Sequence, residues 1–193
     1  MKKIPTVFER VYENHKVVGI TSNFTNEECK EAFFYGIPTL KMDGACCAII
    51  NGLFYKRYDA KKGKSIPAGA IKCQDKPDPV TGHMPCWVRV DVSNPADKWF
   101  IEAYTRAGDI FSLEDGTYEA IGKHFQGNPY KMDFDILQPH GIHRLIFYVN
   151  PDEDYLEKTR EYLSLLDGEG IVFWLDGKPV CKIKRTDFGM KWN

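Results

Sequence analysis

Hydrophobic and polar positions change period several times along the chain, and the changes mark its elements. Residues 25–35, TNEECKEAFFY, set Thr25 and Glu28 in capping-box register and stop at Gly36, which predicts a short helix. Beyond Gly36 the pattern turns strand-like. The runs ACCAII (45–50) and LFYKRY (53–58) flank Asn51-Gly52, a pair that tolerates positive φ at both positions and so signals a tight hairpin. Residues 61–85 are mostly polar, punctuated by Pro and Gly, and predict a long loop. Short strand candidates follow at CWVRVDV (86–92), KWFIEAY (98–104), GTYEAIG (116–122), MDFDIL (132–137) and HRLIFYV (143–149).

Residues 152–166 return to a helical period. Tyr155, Leu156, Thr159, Tyr162, Leu163 and Leu166 share one face, and acidic residues crowd the first turn, where the helix dipole favours them. GIVFWL (170–175) and PVCKIK (179–184) then pair around Asp176-Gly177 as a second hairpin. Strands predominate over helices, so the expected class is α+β built on antiparallel sheets. No internal repeat or composition shift divides the chain, and its 193 residues predict a single domain spanning 1–193.

Composition narrows the function classes. Twenty-six basic residues against 27 acidic ones leave a net charge of −1, which excludes a polycation that holds nucleic acid by bulk charge but leaves room for a local basic stripe. No apolar run reaches the roughly 18–20 residues of a membrane helix, and the start, MKKIPTVFERVYENHK, lacks the apolar stretch of a signal peptide. The six cysteines include no C-x-x-C pair, so reduced thiols in the cytosol or nucleus are expected. Cys73, His83 and Cys86 share a Pro-rich loop, but their irregular spacing reads as loop residues rather than a zinc site.

Lys41-Met42-Asp43-Gly44 is the most informative tetrapeptide. A lysine there can act as a nucleophile, the glycine permits close backbone approach, and the aspartate can orient a ribose or steer a metal. By itself it also reads as a surface turn with a solvated lysine. In the second hairpin, Lys182 and Lys184 are two apart and face the same way, and a two-residue turn at Asp176-Gly177 sets Glu169 opposite Lys184. One carboxylate and two ammonium groups on one face make either an ordinary cross-strand ion pair or a phosphate and metal site. Lys56 and Arg57 lie on the return strand of the first hairpin and precede Lys61, Lys62 and Lys64, a run that is either a solvated face or a basic stripe. Glu119 sits mid-strand as an outward-facing residue or an acceptor for ribose hydroxyls.

Taken in order, Lys41-Met42-Asp43-Gly44, Tyr118-Glu119-Ala120-Ile121-Gly122, Glu169-Gly170-Ile171-Val172 and Lys182-Ile183-Lys184 resemble motifs I, III, IV and V of the covalent nucleotidyltransferases, the superfamily of DNA ligases, RNA ligases and mRNA capping enzymes. GKHFQGNPY, LQPHG and the terminal KIKRTDFGMKW are most similar to the small ATP-dependent RNA ligases of the vertebrate 5′–3′ RNA ligase type. The resemblance implies a nucleotidyltransferase fold of two antiparallel sheets with peripheral helices. It also implies joining of RNA 5′-phosphate and 3′-hydroxyl ends through a lysyl–AMP intermediate and an adenylylated RNA 5′ end. ATP and Mg²⁺ (or Mn²⁺) would be the cofactors, and RNA the partner.

By the same resemblance, Lys41 is the adenylated nucleophile and Asp43 a ribose or orienting group. Arg57 contacts nucleotide or the RNA 5′ end, Glu119 the nucleotide sugar, Glu169 a metal-bound water, and Lys182 and Lys184 the ATP phosphates. Phe134 and His140 are the candidates to stack on adenine. Nine residues follow Lys184, so the OB-fold domain that carries motif VI in DNA ligases and capping enzymes is expected to be absent. A minimal DNA ligase, another nucleic-acid-end nucleotidyltransferase, and a non-catalytic nucleotide- or RNA-binding module are the alternatives.

Overall fold

The computed structural model describes residues 2–14, 16–110 and 112–192. In chain order the elements are β1 (Phe8–Glu13), β2 (Lys16–Phe24), α1 (Glu27–Tyr35), β3 (Ile37–Lys41), β4 (Ala45–Ile50), β5 (Leu53–Ala60), β6 (Ile71–Lys72) and β7 (Met84–Arg89). Then come α2 (Lys98–Ile110), β8 (Gly116–Gly122), β9 (Asp135–Pro139), α3 (Tyr155–Leu165), β10 (Gly170–Leu175) and β11 (Lys178–Lys184). The class is α+β, and all strand pairs in the sheets are antiparallel.

Among the described residues the sheets number three, not the expected two: β6-β7-β5-β4-β8-β9, β11-β10-β3, and a two-stranded ribbon β1-β2. The ribbon leaves Val11, Val17 and Val18 exposed, so its sequence lacks the alternation that betrays a half-buried strand. The chain divides into two compact units, one of Asp43–His140 with the extreme N-terminus, the other of Ile4–Met42 and everything from Gly141 onward.

In the second of these units the three-stranded sheet packs against α1 and α3 over an aromatic-rich core. Phe8, Phe33, Leu163, Ile171, Phe173 and Ile183 are buried in it. Helix α1 begins one residue later than the capping-box reading: the Asn26 side chain, not Thr25, accepts from the Cys29 N–H at 2.8 Å. Asp154 caps α3 in the same way, accepting from Glu157 N at 3.1 Å. The segment 143–149 is not a strand of the sheet. Its alternation is real, with Ile146 and Tyr148 exposed and Leu145 and Phe147 packed on the core. Its backbone, however, makes only a single bridge to β3, flanked by Leu40 N to His143 O and Leu145 N to Pro38 O.

In the 43–140 unit, β4 and β5 form the Asn51-Gly52 hairpin, with φ of 52° and 72° at the turn. Residues 98–104 form the start of α2 and not a strand. Asn94 caps a turn of 3-10 helix with Pro95 at its first position, and this turn runs straight into α2. The aromatic-rich KWFIEAY has high strand propensity, but Ala103 and Ala107 continue its apolar positions at helical spacing and are both fully buried.

Helix α2 covers one face of the six-stranded sheet, with Phe54 against Tyr104 at 4.8 Å between ring centroids. On that face Asp97 is 1% exposed, ion-pairs with Lys56 and accepts from Asp91 N at 2.9 Å. Lys56 is therefore tied to the start of the helix and not to a basic stripe. Removing Asp97 leaves a mostly buried ammonium and a backbone N–H without their acceptor. Asp97→Ala is expected to lower unfolding stability by about 2–4 kcal/mol; a urea-unfolding difference below about 1 kcal/mol would show the pair to be effectively solvated.

Candidate functional site

The second hairpin turns at Asp176 and Gly177, with Leu175 opposite Lys178 as expected, but a register shift between Phe173 and Trp174 moves the far end by one residue. Gly170, not Glu169, stands opposite Lys184, and on its other side Gly170 stands opposite Lys41. A Cβ at Gly170 would lie 2.0 Å from the Ile183 carbonyl oxygen, so only glycine fits between these two lysine-bearing strands.

Glu169, just ahead of the ladder, is thereby free to reach both. Lys41 Nζ donates to its Oε2 and Lys184 Nζ to its Oε1. Glu169 is 7% exposed. Burial alone would raise its carboxyl, but the charges of Lys41 and Lys184 and the hydrogen bonds they make outweigh it and hold the group below its ordinary value. This is not a solvated surface pair.

Lys182 shares that face of β11 with Lys184, opposite Val172. Burial first, then the charges of Lys41, Lys184 and Arg10, push its ammonium down to about 8, against the opposing pull of Glu169. Asp187, 1% exposed, completes the support. It accepts from the Lys184 backbone N–H at 2.8 Å and from Arg10 at 2.7 and 2.9 Å. Arg185 donates to the Leu163 and Leu166 carbonyls at 2.9 and 2.7 Å, capping the end of α3.

The other half of the tetrapeptide, Asp43-Gly44, belongs to the 43–140 unit, where its backbone is gripped at three points. Asp43 N donates to Tyr130 Oη at 2.7 Å, Gly44 N to Glu119 Oε1 at 3.1 Å, and Gln126 Nε2 to the Gly44 carbonyl at 3.2 Å. A Cβ at Gly44 would lie 2.2 Å from the Ala120 carbonyl oxygen. Glu119 Oε2 in turn pairs with His140 Nε2 at 2.8 Å, and His140 Nδ1 with Thr117 Oγ1 at 3.0 Å.

Glu119 stands opposite Cys46 and Gln138, and Arg57 opposite Trp87, on the sheet face away from α2. Arg57 donates to Asp59 at 2.7 Å and lies over the Trp87 ring. Burial, then the Glu119 charge, push the Cys46 thiol up to about 12, so it is no thiolate nucleophile. Adjacent residues of a strand face opposite ways, which is why Arg57 is on this face and Lys56 is not.

No family model matches the chain. It is similar to two curated proteins. RNA ligase 1 of Danio rerio is 29% identical over 58% of this chain and 42% of its own length. RNA ligase 1 of Pongo abelii is 23% identical over 99% of this chain and 82% of its own length. The chain thus spans less than half of the zebrafish relative.

Of the residues singled out from sequence, the fold brings Lys41, Glu169 and Lys184 together, with Lys182 beside them, and separately joins Gly44 to Glu119. Phe134 lies under the Arg106 guanidinium at 4.9 Å, and His140 is held through both ring nitrogens. Cys73, His83 and Cys86 do not form a three-ligand cluster among the described residues. Arg10, Tyr130, Gln126 and Asp187 escaped the sequence reading. Only Asp187, three residues beyond Lys184, carried a local signal, the spacing of a helix cap.

The half-buried Lys182 cation has a measurable cost. An unfolded chain keeps the Lys182 proton to about its ordinary 10.5 and the folded chain only to about 8, so stability rises with pH between these values and the full charge penalty is present below about 8. Lys182→Met is expected to stabilise the fold at pH 7 by up to about 3 kcal/mol, with the gain shrinking toward pH 10.5. Urea unfolding of both proteins at the two pH values checks this; equal stability at pH 7 would refute it.

Proposed function

We propose that the protein is an ATP-dependent RNA ligase that joins RNA 5′-phosphate and 3′-hydroxyl ends through a lysyl–AMP intermediate. The carrying observation is the lysine–glutamate cluster at the end of the strand bearing the K-x-D-G sequence. Lys41 and Lys184 converge on one buried carboxylate, while the half-buried Lys182 beside them is only partly compensated by it. A cluster with cations in excess of anions is stabilised by an arriving polyanion such as a triphosphate. The similarity to two proteins named RNA ligase 1 supports RNA as the substrate.

In this reading the Lys41 amine attacks the α-phosphorus of ATP. Only the free amine has a lone pair, so the Lys41 ammonium first gives up a proton, for which Glu169 Oε2 is in hydrogen-bond contact; the phosphorus–nitrogen bond then forms, the bond to pyrophosphate breaks, and the nitrogen's next proton leaves to solvent. Lys182 and Lys184 neutralise charge on the departing pyrophosphate. Asp43 orients the ribose, Glu119 binds the nucleotide sugar with the acceptor capacity its carboxylate retains, and Arg57 contacts the nucleotide or the RNA 5′ end.

Glu169 is a hard oxygen donor among cations. It would hold Mg²⁺ or Mn²⁺ through the ion's water shell. When bound, such an ion supplies further charge neutralisation at the phosphates. AMP then passes from Lys41 to the RNA 5′-phosphate, and an RNA 3′-hydroxyl attacks that activated end and releases AMP.

Incubation with α-labelled ATP and Mg²⁺ should give label that survives a denaturing gel. Lys41→Ala should reduce it to background in a protein whose unfolding curve is intact. Glu169→Ala, Lys182→Ala and Lys184→Ala should each slow labelling by two or more orders of magnitude, about 3 kcal/mol of barrier. Persistent labelling in folded Lys41→Ala protein would overturn the mechanism.

The nucleic-acid assignment has its own test. The 2′-hydroxyl at the 3′ terminus both donates and accepts hydrogen bonds, so RNA junctions should be sealed much faster than matched junctions with a DNA 3′-hydroxyl strand. The exposed Lys61, Lys62 and Lys64 offer only a few phosphate contacts, and binding should weaken with salt accordingly. Equal sealing of all-DNA junctions would remove RNA ligation while leaving adenylation standing.

A further inference from the structure

On the sheet face away from α2, Cys46, Glu119 and His140 come together. One ligand atom from each, the Cys46 sulfur, a Glu119 oxygen and a His140 ring nitrogen, lie within 4.8 Å of one another. Their convergence follows from register. Cys46 on β4 stands opposite Glu119 on β8, and His140, just past β9, continues the ladder by donating its N–H to the Thr117 carbonyl at 3.0 Å. His140 is therefore a diagonal neighbour of Glu119 on the same face.

Two of the three are already oriented from behind. Gly44 N holds Glu119 Oε1 at 3.1 Å, which leaves Oε2 turned to the cluster, and Thr117 Oγ1 holds His140 Nδ1 at 3.0 Å, which leaves Nε2 turned to it. A hydroxyl both accepts and donates, so Thr117 can receive the Nδ1 proton when Nε2 offers its lone pair to an ion. This is the outer support that metal-bound histidines and carboxylates require.

We propose that Cys46, Glu119 and His140 form a binding site for a borderline transition-metal ion of the Zn²⁺ class, with a fourth position open to water or another ligand. Sulfur, imidazole nitrogen and carboxylate oxygen together are the donor set of such ions and not of Mg²⁺, which demands oxygen. Cys46 is a thiol in the metal-free protein and becomes the thiolate ligand only as the metal–sulfur bond forms, its proton leaving to solvent. The site is distinct from the Glu169 cluster but shares Glu119 with the ligase reading, so an ion bound there would compete with the nucleotide sugar for that carboxylate.

Cobalt(II) is the probe, added to chelator-treated, reduced full-length protein and read by absorption. The wild type should show a near-ultraviolet thiolate-to-cobalt band with tetrahedral visible bands, displaced by Zn²⁺. Cys46→Ser should lose the thiolate band, and Cys73→Ser should retain it. Thr117→Val should weaken cobalt binding about tenfold by releasing the histidine, and His140→Ala more than that. Zn²⁺ should raise the Tm of the wild type and not of Cys46→Ser. An absent thiolate band in the wild type, or an equal one in Cys46→Ser, would overturn the site. ATP-derived labelling in Zn²⁺-free buffer with Mg²⁺, where this site is empty, tests the ligase reading separately.

Discussion

The carboxylate of Glu169 is buried, and a carboxylate taken out of water costs several kcal/mol unless cations and hydrogen bonds are brought to it. Much of the geometry around the cluster serves that one requirement. The register shift in the β10–β11 hairpin sets Gly170 between Lys41 and Lys184 and leaves Glu169 ahead of the ladder, able to turn one oxygen to each lysine. Asp187 fixes the backbone of Lys184, and the next residue, Arg185, ties itself to the end of α3 through its side chain. Glu169 cannot also neutralise Lys182, so the site keeps positive charge in a molecule whose overall charge is −1. The positive charge of the site is a local excess, not a bulk property.

In the 43–140 unit the governing constraint is the two-residue period of the strand. Across β4, β5 and β8 one face carries Arg57, Cys46 and Glu119 and the other carries Lys56, Cys47 and Tyr118. Helix α2 occupies the second face and pairs Asp97 with Lys56, which commits that lysine to structure. The first face keeps its polar groups. The backbone grip on Asp43-Gly44 and the conjunction of Cys46, Glu119 and His140 both grow from it. Glu119 is common to both, since its two oxygens serve different neighbours.

Much of this is legible in the sequence wherever the signal is local. Asn51-Gly52 and Asp176-Gly177 adopt positive φ at both turn residues, as hairpin turns of that length demand, because turn chemistry is decided by the turn residues themselves. Helices α1 and α3 lie where caps and period put them, although the cap of α1 moved from Thr25 to Asn26. The strand expected at 98–104 is instead the start of α2, because the Asn94-Pro95 start signal just upstream outweighs the strand propensity of its aromatic residues. The segment 143–149 has the period of a strand without the partner of one, and period alone cannot supply hydrogen bonds.

What the sequence by itself determined is therefore the class of the fold, the hairpins at Asn51-Gly52 and Asp176-Gly177, helices α1 and α3 and the residue types available for chemistry, since these follow from backbone preferences and from periods along the chain. Tertiary structure decided which of those residues meet. The one-residue shift that brings Glu169 to both Lys41 and Lys184, the burial of Lys56 under α2, and the approach of His140 to Cys46 and Glu119 all depend on register between strands distant in sequence. Register belongs to a pair of strands and to the surfaces packed on them, so no window of a single chain segment contains it.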